Sequence, residues 1–158
     1  MKCQVLHQVV DEKEFGMTKA LYTAEAHVTG GRAGRGRTTD GRLDLQLRPP
    51  KELGGDGEGA NPEQLFAIGY AACFGATLAL VGQRGNVKAD DAEIESSVSL
   101  VPAGGGRFEL GVELRITLPS ADGAQAAELA RTAREVCPYS NATRGNVEVA
   151  LTVNGVRV

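Results

Sequence analysis

Cysteine and histidine are scarce in this chain of 158 residues, and the scarcity removes whole classes of site. Cys3, Cys73 and Cys137 are too few and too far apart for a secreted disulfide framework or a zinc site with paired ligands, and His7 and His27 do not make up the difference. A surplus of positive charge is also missing. The 17 Lys and Arg stand against 20 Asp and Glu, a net charge of −3, which argues against broad nucleic-acid or anionic-membrane binding as the main role. Residues 1–17 lack the apolar run and small-residue cleavage site of a signal peptide and carry Asp11-Glu12-Lys13-Glu14 instead. The expectation is a cytoplasmic protein with reduced thiols, in which a cysteine is catalytic, redox-active or simply buried rather than a structural bridge.

What is present is ordinary globular material. The chain is 42% hydrophobic and 23% charged, enough for a single domain whose core needs neither disulfide nor metal. Residues 20–29 are rich in β-formers, and Leu43, Leu45 and Leu47 alternate with Asp44 and Gln46 in the two-residue period of a half-buried strand. Asp40-Gly41 supplies the positive φ of a tight hairpin, so a short strand around 37–39 is expected to fold back on 43–47. A Gly- and Pro-rich loop follows, from Pro49 to Ala60.

At Asn61-Pro62-Glu63-Gln64 four helix-start rules agree: an Asn N-cap, Pro at the first helical position, an acid in the first turn, and Gln three residues after the cap. The helix continues through Leu65–Gly82, eighteen residues without a charge. That meets the lower length for a membrane span, but Gly69, Gly75 and Gly82 and the surrounding amphipathic strands favour a buried central helix. Alternating strands are expected over 94–100 and 108–118, joined by Gly104-Gly105-Gly106. Ala126, Leu129, Ala130, Ala133, Val136 and Cys137 form a second helix stripe that Pro138 ends, and a last strand covers 147–153. Antiparallel strand runs separated by two long helices give an α+β fold.

Cys73, midway along the buried helix, and Cys137, at the end of the second stripe, both face the interior and could meet there. Either one alone fits an inert core cysteine, since cysteine is among the most buried residue types. The Gly30–Arg37 segment carries Arg32, Arg35 and Arg37 between glycines, but it lacks a P-loop ending and leads into no helix. It reads as a strand connection that could turn a cation inward. Asn141-Ala142-Thr143 fits a glycosylation acceptor only by chance in a cytoplasmic chain.

The blocks Asn61-Pro62-Glu63-Gln64-Leu65-Phe66-Ala67-Ile68-Gly69-Tyr70-Ala71-Ala72-Cys73-Phe74 and Cys137-Pro138-Tyr139-Ser140-Asn141-Ala142-Thr143-Arg144-Gly145-Asn146 resemble the organic hydroperoxide resistance proteins of the OsmC-like superfamily. Ala20–Ala24, Gly30–Arg32, Thr39–Gly41 and Glu52–Gly55 extend the resemblance over about residues 18–153. Residues 1–17 then form an N-terminal extension, with Cys3 outside the chemistry, and 18–158 the peroxidase domain. The resemblance implies an OsmC-like fold, with antiparallel β-sheets and two long helices, in an intertwined homodimer. It implies a thiol peroxidase that reduces organic hydroperoxides to alcohols, with Cys73 as peroxidatic cysteine and Cys137 as the resolving cysteine that closes a disulfide with it. Arg32 would stabilise the thiolate, and Glu63 would orient Arg32. No bound cofactor or metal is implied. The reductant would be an external dithiol, a dihydrolipoyl group on a lipoylated carrier protein, and neither nucleic acid nor membrane would be a partner.

This chemistry suits the residues. A buried thiol, with an ordinary pKa of about 8.5, needs a cation to ionise at neutral pH. Arginine stays charged when buried and can bond a carboxylate through one edge while the other faces sulfur. Leu65, Phe66, Ile68, Tyr70 and Phe74 share a helix with Cys73 and are expected to make an apolar pocket for alkyl, aryl or fatty-acid hydroperoxides. Glu63 and Cys73, ten residues apart, would stand roughly 15 Å apart on one regular helix. Either the helix breaks near Gly69, or the partner subunit supplies Arg32 and Glu63. The alternatives to a peroxidase are an OsmC-like redox sensor and a non-enzymatic binder of small apolar ligands.

Overall fold

Strong local signals set most of the architecture. The computed structural model describes residues 14–15 and 18–158. Strands β1 (Glu14–Phe15) and β2 (Thr18–Lys19) pair as a minimal antiparallel ribbon; the rest of the expected 1–17 extension, Cys3 included, lies outside the described residues. Next come β3 (Ala26–Thr29), β4 (Arg35–Thr38) and β5 (Asp44–Gln46), an antiparallel three-stranded sheet. Gly41, at φ +73°, turns the expected β4–β5 hairpin. The first expected strand shrinks to its last four residues, the ones that find β4 to pair with.

Helix α1 (Pro62–Arg84) begins as expected, with a complete capping box. The Asn61 side chain accepts the Gln64 N–H at 2.9 Å, and the Gln64 side chain accepts the Asn61 N–H at 3.0 Å. The main sheet follows, in the order β6 (Glu93–Pro102), β7 (Phe108–Thr117), β8 (Glu148–Val153), β9 (Val156–Arg157). Between β7 and β8 lie α2 (Gly123–Val136) and a short α3 (Pro138–Thr143). The fold is α+β, with helices packed on one face of the main sheet. Val112, Leu114 and Ile116 of β7 and Leu151 and Val153 of β8 meet Tyr70, Phe74 and Leu78 of α1 and Ala126, Ala130 and Ala133 of α2 in one core.

Three expectations need correction. β8 runs parallel to β7 rather than antiparallel, because the helical crossover α2–α3 brings the chain back before the strand is laid down. Pro138 does more than end α2: it occupies the first position of α3, where its missing N–H is not needed. Finally, α1 is buried on one side only. Tyr70, Phe74 and Leu78 are at most 1% exposed, while Ile68 is 68% and Leu80 42% exposed. The helix thus keeps an apolar face that no other described residue covers. Val136, assigned to the α2 stripe, is also exposed.

Candidate active site

The middle of α1 carries Cys73, and the junction of α2 with α3 carries Cys137. The main chain of Cys137 belongs to both helices: its N–H donates to Ala133 O at 2.8 Å, and its carbonyl accepts from Asn141 N–H at 2.9 Å. Both thiols are free, with Cys137 fully buried and Cys73 half-buried. The two Sγ atoms lie 3.7 Å apart. Burial pushes the Cys73 thiol above its ordinary range, the backbone N–H of Tyr139 acts against that rise, and the adjacent Cys137 adds to it. Among the described residues no cationic side chain acts on Cys73.

Arg32 and Glu63 form a second pair. Arg32 rides on a single 3₁₀ turn, Gly31–Ala33, between β3 and β4. That turn needs Gly34, because a Cβ there would fall 1.7 Å from Thr29 O. Arg48 braces it, donating from Nη1 to Ala33 O at 2.8 Å. Arg32 reaches Glu63, in the first turn of α1, through both edges of the carboxylate: Nη2 to Oε1 at 2.7 Å and Nη1 to Oε2 at 2.9 Å. The guanidinium bond holds the Glu63 carboxyl below its ordinary range against the cost of burial. Beside Glu63 opens a cleft of about 620 Å³, lined by apolar Leu53, Val98 and Leu100 and by polar Glu52, Gln64 and Ser96 among others.

The structure therefore joins Cys73 to Cys137 and Arg32 to Glu63, but not one pair to the other. α1 runs unbroken through Gly69, so Glu63 and Cys73 stand roughly 15 Å apart along its axis. Gly69 instead makes room for Tyr139, whose hydroxyl would lie 3.1 Å from an added Cβ. The expected apolar pocket divides: Tyr70 and Phe74 are core, Leu65 and Ile68 face outward, and only Phe66 is half-buried, against Tyr139 and Tyr70. Sequence reasoning gave no role to the Tyr70, Ser140 and Thr143 hydroxyls, which cluster in the core one turn from Cys73. Their signal was available: Tyr70 and Thr77 are the only polar side chains in the uncharged stretch 65–82. No group of three metal-ligating side chains occurs among the described residues.

Residues 55–152 match the family model for OsmC-like protein. The chain is 52% identical over 137 residues to the organic hydroperoxide resistance protein of Xanthomonas axonopodis pv. citri, covering 85% of this chain and 96% of that one. A crystal structure of a putative organic hydroperoxide resistance protein from Vibrio cholerae, with captopril bound in one of its active sites, superimposes with a TM-score of 0.85 at 40% identity. It covers 94% of this chain and 100% of that one. The structure of Bacillus subtilis OhrB gives 0.78 at 46% identity, over 85% and 100% of the two chains.

Proposed function

Since the chain belongs to the OsmC-like family, among its organic hydroperoxide resistance proteins, we propose that it is a cytoplasmic thiol peroxidase that reduces organic hydroperoxides to alcohols. The observation that carries this reading is the 3.7 Å approach of the Cys73 and Cys137 sulfurs inside an apolar core. Two reduced thiols at that distance can be converted to a disulfide with little motion.

The Cys73 thiolate attacks the hydroxyl oxygen of the hydroperoxide. The O–O bond breaks, Cys73 becomes a sulfenic acid, and the alkoxide takes up a proton to leave as the alcohol. The Cys137 sulfur then attacks the Cys73 sulfur. The S–O bond breaks, and hydroxide leaves with the Cys137 proton as water. An external dithiol, a dihydrolipoyl group on a carrier protein, returns both cysteines to thiols by exchange and is itself oxidised to its disulfide. The first step needs a thiolate, and burial in the single chain opposes one. The partner subunit's Arg32, aligned by the partner subunit's Glu63, supplies the missing cation in a homodimer whose active sites lie at the interface. The half-exposed Arg32 guanidinium, already gripped by Glu63 on one edge, suits that use.

One equivalent of cumene hydroperoxide should close the Cys73–Cys137 disulfide, read by mass spectrometry, and dihydrolipoamide should then sustain turnover. No disulfide would turn the reading toward a binder of apolar ligands. A disulfide that dihydrolipoamide cannot recycle would turn it toward a redox sensor.

A further inference from the structure

Cys137 is the N-cap of α3, a helix of only six residues. A helix that short does not hold itself in water, so what fastens it decides where Cys137 points. Tyr70 is the fastening on the α1 side. It is 0% exposed, and its hydroxyl lies 3.0 Å from Ser140 Oγ and 3.3 Å from Thr143 Oγ1, themselves 4% and 6% exposed. Thr143 Oγ1 also donates to the carbonyls of its own helix, Tyr139 O at 2.9 Å and Ser140 O at 3.3 Å. The three hydroxyls thus form one buried cluster that joins α1 to α3.

On the other side, Arg144 at the end of α3 donates from Nη2 to Arg134 O at 2.9 Å and pairs with Glu135 at 3.1 Å, tying α3 to the last turn of α2. Tyr70 and Cys73 are three residues apart on α1 and therefore neighbours on its surface. α3 is thus anchored to α1 one turn from the sulfur that Cys137 has to reach.

We infer that the Tyr70 hydroxyl, through Ser140 and Thr143, is a positioning group for the resolving step, holding Cys137 where it condenses with oxidised Cys73. This rests on the peroxidase reading. Tyr70 touches neither the thiolate nor the hydroperoxide, so removing its hydroxyl leaves the first step intact. Ser140 and Thr143 then each lose a buried hydrogen bond, Thr143 keeping only those to its own helix, and α3 loosens from α1.

The experiment mixes reduced protein with one equivalent of cumene hydroperoxide and dimedone, which traps sulfenic acid. Tyr70→Phe should consume hydroperoxide at the wild-type rate while its dimedone adduct rises about tenfold. Thr143→Val should behave likewise and Thr143→Ser like wild type, which serves if Tyr70→Phe fails to fold. Unchanged trapping in folded Tyr70→Phe or Thr143→Val, or a loss of both steps together, overturns the inference. If wild type consumes no hydroperoxide, the peroxidase reading fails separately. Diamide, which oxidises a thiol pair to its disulfide without hydroperoxide, still reads the positioning: equal disulfide rates in wild type and both hydroxyl-deleting variants overturn it.

Discussion

Burial raises the pKa of the Cys73 thiol and so opposes the thiolate that a nucleophile needs. In the proposed mechanism Cys73 attacks the hydroperoxide, so Cys73→Ser should abolish hydroperoxide consumption: a serine hydroxyl is not appreciably ionised at neutral pH. Cys137 acts only afterwards. Cys137→Ser should consume about one equivalent and stall with an oxidised Cys73, visible as a mass increase on that residue. Sustained turnover by the Cys73 variant would reverse these roles. Glu63 leaves a different signature. Its folded carboxyl lies below the ordinary value because of Arg32, so the pair stabilises the fold above the unfolded carboxyl pKa and loses that contribution as pH falls through the folded one. The urea midpoint of Glu63→Gln should fall short of wild type at pH 7, by a difference worth about 1 kcal/mol at most given the half-exposed guanidinium, and the gap should close toward pH 3. A gap that widened in acid would contradict the linkage.

Among the elements, α1 was the most legible, because its start is encoded four times over at Asn61–Gln64 and the capping box forms in full. Asn61→Ala should cost about 1 kcal/mol in denaturant melts without altering the reaction steps. Alternation likewise marked β6 and β7, and the stripe of α2 put Cys137 on its inward side. Alternation cannot tell a parallel partner from an antiparallel one, since side chains change face every residue in both, and so the direction of β8 was misread. α3 was hidden because Pro138 is equally good as a stop and as a start. The Arg32–Glu63 pair could not have been read from periodicity at all. It depends on Leu47 bridging to Ala60, which lays the loop carrying Arg32 against the first turn of α1, and no local pattern announces a contact between positions 31 apart.

For the whole molecule, the apolar surface left open is the decisive feature. Val28 of β3 is 54% exposed and Leu43 51%, while Leu65, Ile68 and Leu80 line the open face of α1. Soluble monomers rarely leave contiguous apolar faces of this kind open. In the proposed intertwined homodimer the second copy covers both faces and brings its Arg32–Glu63 pair to Cys73. Complementation distinguishes this from a site built by one chain. Cys73→Ser and Arg32→Ala chains should each be inactive as homodimers. In a mixed dimer with shared sites, one site combines both defects and the other combines neither, so verified heterodimers should regain about half the wild-type rate. If each chain built its own site, both sites of the mixed dimer would carry one defect, and no activity would return.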